Sequence, residues 1–159
     1  MMDRLIVISG IIFGIISFPS LFKKPSAKVW LPLIVTSGLV NYLFDKTLVK
    51  TGKVKYPVRL FPRLTKINIA YDFFVCTYLS IWYCQSTMNA SLPEIVRKLI
   101  IFSLPQGIYE IILERKTNTL KFRESWKWLH SFFLVVVVKI ISRSMLFLFL
   151  KKKDKDFNV

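Results

Sequence analysis

Acidic residues are scarce in this chain. Nine Asp and Glu stand against 24 Lys and Arg in 159 residues, a formal charge of +15. Histidine occurs once and cysteine twice. The single histidine, His130, excludes an HExxH zinc motif, and no other metal-ligand pattern is present. Cys76 and Cys84 are eight apart, so they make no CxxC, and on one helix they lie about 12 Å apart, too far to bridge. They read as apolar packing residues, and two cysteines do not make a disulfide scaffold. There is no GxSxG, no Walker A and no GxGxxG, which removes the common hydrolase elbow, phosphate loop and dinucleotide site. Ser131 beside His130 is not a catalytic pair, because adjacent helical residues point apart.

What the chain does have is apolar residues. They make up 53%, including 14 Phe and 4 Trp, and the mean hydropathy is +0.47. Such a composition is too apolar for a disordered chain. Its Lys and Arg avoid five apolar windows and crowd the gaps between them, as expected of helices that cross hydrocarbon and leave their charges among head groups. A nucleic-acid surface would mix basic and polar residues throughout the fold, so no nucleic-acid partner is expected. The partners expected are the phospholipid bilayer and another membrane protein or a second copy of the chain. No cofactor is expected.

The windows predict an all-α integral membrane bundle of about five transmembrane helices, at 5–22, 29–44, 67–84, 92–113 and 128–150. Residues 1–150 then form a single transmembrane domain, with an interfacial loop at 50–66, a basic loop at 114–127 and a charged, frayed tail at 151–159. The first window has no small-residue cleavage site before Lys23 and reads as an uncleaved helix. Its Gly10 and Gly14 form a GxxxG that allows close approach of another helix. The second window covers only about 24 Å as a helix, short of the roughly 30 Å hydrocarbon core. The fourth holds Pro105, a site for a kink. In the loop from Tyr56 to Leu64, Pro57 and Pro62 prevent a long helix. Leu60, Phe61 and Leu64 alternate there with Arg59 and Arg63, which suits either a segment in the head-group layer or a solvated basic loop.

Five crossings put the N-terminus, the second-to-third loop and the fourth-to-fifth loop on one side. That side carries the larger share of Lys and Arg, so the positive-inside rule places it, and the N-terminus, in the cytoplasm. Tyr42, Trp126 and Trp128 fall at one predicted boundary and Trp30, Trp82 and Tyr83 at the other, as aromatic belts do.

Ionisable groups inside hydrocarbon need partners or water. Antiparallel packing gathers Asn41, Asp45, Asp72, Glu110 and His130 into one layer near the first side, with Arg59 and Arg63 close by in sequence. Such a layer is either a proton or ion site, the polar floor of a cavity, or a set of ion pairs that pin helix ends. Lys139 and Arg143 are buried cations, four apart and so on one helix face. Asp72 is the acid at comparable depth, which predicts an Asp72–Lys139 contact between the third and fifth helices, direct or through water.

The stretch from Lys55 to Asp72 (Lys-Tyr-Pro-Val-Arg-Leu-Phe-Pro-Arg-Leu-Thr-Lys-Ile-Asn-Ile-Ala-Tyr-Asp) and the stretch from Glu110 to His130 resemble an uncharacterised family of small multi-pass membrane proteins of spore-forming Gram-positive bacteria. The resemblance rests on Tyr56, Pro57, Arg59, Pro62, Asp72, Glu110, Glu114, Thr117, Asn118, Trp126, Trp128 and His130. It implies a host group and a cell-membrane location, and no mechanism. The expected function is a non-enzymatic accessory or interaction subunit of the cell envelope. The alternatives are a small transporter or channel subunit with a proton-coupled polar site, and a membrane-embedded enzyme.

Overall fold

Helix ends in this chain are set by caps and prolines. A computed structural model describes residues 2–23, 25, 27–123 and 125–157. Helix α1 (Met2–Ser17) tightens into a 3₁₀ turn at Phe18–Phe22, which opens with Pro19. Helix α2 (Ala27–Lys50) carries Pro32 and ends at Gly52, whose φ of 76° is one a glycine adopts without strain. There the N–H of Gly52 bonds the Val49 carbonyl and that of Lys53 bonds the Leu48 carbonyl, so the last turn is satisfied. Helix α4 (Leu92–Lys116) starts on a capping box of Ser91 and Glu94 with Pro in its first turn, and it continues through Pro105. Helix α5 spans Trp128–Phe157. It runs on through most of the expected tail, and only its last two residues, 158–159, lie outside the described residues.

The third element is the least regular. The chain turns helical at Ile69, passes through a π-helical turn at Tyr71–Cys76, and continues as α3 (Thr77–Ser86). The wider turn sets two adjacent phenylalanines against two different helices. A Cβ on Gly14 of α1 would lie 2.1 Å from Phe74 Cδ1, and one on Gly38 of α2 would lie 2.7 Å from Phe73 Cδ1. The two glycines are therefore sockets for the two rings. Gly10 meets the same segment more loosely, with Val75 Cγ2 at 3.4 Å. Tyr71, Asp72 and Cys76 of this turn are buried. π-turns recur at functional sites.

Two short strands, β1 (Val54–Lys55) and β2 (Lys121–Phe122), pair antiparallel, Val54 with Phe122 and Lys55 with Lys121. They join the loop after α2 to the loop after α4. The Val58 N–H adds a bond to the Asn118 carbonyl, and the Asn118 N–H reaches Asp3 Oδ1 at 3.0 Å. The start of α1, the end of α2, the start of the third element, the end of α4 and the start of α5 therefore share one end of the bundle.

Three helical segments, Met2–Phe22, Ala27–Lys50 and Trp128–Lys151, are long and apolar enough to cross a membrane. The third element and α4 do not meet that measure, so five helices form while three carry the apolarity of a span. The exterior is apolar: Ile8, Ile12 and Ile15 of α1, Val35 and Leu39 of α2, Ile101, Leu104 and Ile108 of α4, and Phe133 and Phe147 of α5 are all exposed. Trp30 and Tyr83 are buried in the core with Leu33 and Ile81.

Candidate functional site: a buried acid cluster

The shared end of the bundle encloses a cavity of about 40 Å³, lined among others by Asn41, Asp45, Asp72, Gln106 and Glu110. Val54 and Phe122 of the strand pair and Leu120 just before β2 also line it, so the ribbon forms its cover. A water needs about 10–15 Å³ measured in this way, so the cavity has room for water and for nothing as large as an organic substrate.

Four of the expected layer residues meet here. Asp45 and Asp72 face each other within hydrogen-bonding reach. Tyr56 donates its hydroxyl to Asp45. Glu110 accepts from the Tyr71 hydroxyl at 2.8 Å and from the Ser131 hydroxyl. Asn41 donates to the Ser37 carbonyl at 3.1 Å and reaches Thr77 Oγ1 at 3.5 Å. Asp72 is 1% exposed, and its Oδ2 has no hydrogen-bond partner among the described residues. Two buried carboxyls this close, with hydroxyl donors around them and, among the described residues, no cation paired to either, form an arrangement that can share a proton. Burial, and then the Asp45, Asp72 and Glu110 carboxylates, push the Tyr56 phenol well above its ordinary range. Tyr56 therefore stays a donor.

The other expected members lie elsewhere. His130 is exposed, stacks on Trp126 at 5.2 Å between centroids, and accepts the Lys127 N–H through Nδ1. Arg63 is exposed. Arg59 turns back on its own loop, donating to the carbonyls of Thr65, Tyr56 and Pro62. Ion pairs that pin helix ends are thus not what these acids form.

The Asp72–Lys139 contact is also corrected. Lys139 is 1% exposed, and its ammonium donates to Gln106 Oε1, while Asp72 lies beside Asp45. A neutral amide on α4 takes the place expected for the acid. Arg143 donates to the carbonyl and the hydroxyl of Thr87, at 2.7 and 2.8 Å. With Lys98, which donates to the Ser86 carbonyl, it closes the C-terminal end of α3, where a cation complements the helix dipole.

Further contacts join these points into a polar seam. Ser131, Lys139, Ser142 and Arg143 lie along α5, about 18 Å from first to last. Their partners are Glu110, Gln106, Ser37 and Thr87. The chain therefore buries a set of polar groups alongside its hydrophobic core while large apolar side chains stand exposed on its helices, unlike a water-soluble bundle. Tyr56, Tyr71, Gln106 and Ser131 are site residues that depth alone did not single out. Tyr71 and Ser131 sit next to Asp72 and His130 in sequence, so the right depth had been found one residue away.

The fold and site define a class: a helical chain with three helices fit to cross a membrane and a protonatable cluster at its core. No protein-family model, no curated protein and no solved structure matches the chain.

Proposed function

We propose that this chain is a non-enzymatic multi-pass membrane protein of the cell envelope. It binds a proton at the Asp45–Asp72–Glu110 cluster and serves as an accessory subunit of a larger membrane assembly. The observation that carries the reading is the inverted distribution of polarity, with acids, serines and a lysine buried beneath an exposed apolar surface on α1, α2, α4 and α5. In a bilayer each polar group must find its partner inside the bundle. α4 exposes apolar side chains along its length, which supports its entering the bilayer with the three apolar helices. At the acid cluster, the small cavity supports a proton as ligand over an organic substrate. Among the described residues no His, Cys, Asp or Glu group is arranged to hold a metal ion. The resemblance carried by the two segments at 55–72 and 110–130 would make the host a spore-forming Gram-positive bacterium. The basic end would face the cytoplasm.

Two measurements test this. Infrared difference spectroscopy of the purified chain at neutral pH should find a protonated carboxyl band that is lost in Asp72→Asn; with no such band the proton reading fails. In sealed membrane vesicles, cysteines introduced at Lys55 and Lys121 should label from one side and a cysteine at Asn89 from the other. Labelling of all three from one side would remove the five-crossing arrangement.

The polar seam favours a second reading, a subunit of a proton-coupled transporter. Its groups reach from the cluster toward the far end of the bundle. Proton entry into proteoliposomes under an imposed potential, abolished by Asp72→Asn and by Lys139→Met, is its expected signature. Wild-type liposomes as tight as empty ones would remove it.

A further inference from the structure

On the outer side of Tyr56, away from the acid cavity, lies a second cleft of about 300 Å³. Three chain segments build it. β1 contributes Lys55, the proline-containing loop contributes Arg59 and Lys66, and the residue after β2 is Arg123. Gly52 lies at its wall. Among the described residues, four cations line this space and no carboxylate does.

Arg59 gives the cleft its chemical definition. A guanidinium carries five N–H donors. Three of them are engaged, Nε with the Thr65 carbonyl at 2.5 Å, Nη1 with that of Tyr56 at 2.7 Å and Nη2 with that of Pro62 at 3.1 Å. One N–H remains on each terminal nitrogen. The group is half-buried and held in place before any ligand arrives, with two N–H donors unengaged by those three carbonyls, and a guanidinium is suited to phosphoryl groups. Preorganisation of this kind removes much of the ordering cost of binding. A neighbouring cleft of about 430 Å³ shares Lys66 and adds Lys46, Lys50 and the apolar Leu64, which is 81% exposed. Two cation-lined clefts thus lie side by side at the same end of the bundle, the second with apolar side chains among its lysines.

We propose that the Lys55–Arg59–Lys66–Arg123 cleft is a binding site for a phosphoryl group, carried by an anionic phospholipid head or by a soluble phosphate ester. The site is distinct from the acid cluster, and it is tested without reference to proton binding.

The test measures the thermal midpoint and native mass spectrum of the full chain with two probes. One is phosphatidylglycerol in phosphatidylcholine nanodiscs, compared with phosphatidylcholine alone. The other is glycerol 3-phosphate added to the detergent-solubilised protein. The expected result is a stabilised, adduct-bearing species that weakens with salt. Binding should fall roughly fivefold for each of Lys66→Gln and Arg123→Gln, a typical effect for one basic residue at an anionic surface. Both side chains are exposed, so neither variant disturbs folding. Lys23→Gln, an exposed cation outside the cleft, should leave binding unchanged. Arg59→Lys, which keeps the charge and loses the guanidinium, should weaken it. Binding of the lipid alone assigns the site to a membrane head group, and equal binding of glycerol 3-phosphate assigns it to soluble esters. Binding of neither probe overturns the proposal. So does an equal loss in Lys23→Gln and Lys66→Gln, which would mean diffuse charge in place of a site.

Discussion

The Lys139–Gln106 pair allows a stability series whose signs follow from the structure. Lys139 is buried, and Gln106 Oε1 is the acceptor for its ammonium. Gln106→Leu removes the acceptor and leaves a buried cation uncompensated, which costs about 3–5 kcal/mol. Lys139→Met acts differently. It removes a charged group whose burial costs several kcal/mol, and it orphans one amide oxygen at about 1–3 kcal/mol, so the two effects nearly offset. The double variant removes both problems and should exceed wild type by about 1–4 kcal/mol, as when buried ion pairs are replaced by apolar residues of similar volume. Thermal or denaturant unfolding in detergent micelles, followed by tryptophan fluorescence, measures all three; the wholly buried Trp30 is a suitable reporter. The order expected is double, then Lys139→Met close to wild type, then Gln106→Leu well below. A harmless Gln106→Leu would refute the reasoning, because the ammonium would then be satisfied by other groups. If Lys139→Met stabilises no more than this yet abolishes activity, the lysine is kept for function at some expense of stability.

Other outcomes follow from the same structure. Gly14→Ala should destabilise by about 1–3 kcal/mol, because its Cβ would meet Cδ1, Cγ and Cβ of Phe74 at 2.1–2.9 Å, whereas Gly10→Ala, at 3.4 Å from its nearest contact, should gain about 0.5–1 kcal/mol from helix propensity; micelle unfolding of the two side by side checks this. Tyr56→Phe should lose about 1.5–3 kcal/mol with its hydrogen bond to Asp45. The phenol's folded pKa is raised, so the folded chain holds that proton more tightly than the unfolded one. Stability from this group is complete below about pH 10 and is lost as pH rises beyond it; an alkaline unfolding profile should show the loss in wild type and not in Tyr56→Phe. Arg143→Leu should free the Thr87 carbonyl and speed hydrogen exchange at the end of α3 without moving exchange in α1.

Depth along each helix was legible in the sequence; rotation about the helix axis was not. Asn41, Asp45, Asp72 and Glu110 meet because antiparallel helices of known length bring equal depths together. His130 shares that depth, yet one residue of α-helix turns the direction by about 100°, and it is Ser131 that faces Glu110. The same limit explains Lys139, which is at the predicted depth but meets Gln106 of α4. Charge complementarity also misled, since Asp72 has another acid beside it, an arrangement that a shared proton permits and that no rule of opposite charges suggests. The π-turn leaves no local signature, because its cause is non-local: Phe73 and Phe74 must reach Gly38 and Gly14 on separate helices. The strand pair of two residues each is too short to give a period.

If the chain crosses a bilayer as proposed, that short ribbon limits how many times it can do so. β1 follows α2 and β2 follows α4, so pairing them fixes both loops on one face, and the bond from Asn118 to Asp3 brings the start of α1 to the same face. Helices α1 and α2 must then go out and return together, and so must α3 and α4. The intervening pair enters as a hairpin or stays out as one. With α5 crossing as well, the number of crossings would be odd, and a four-crossing arrangement would require the ribbon to break.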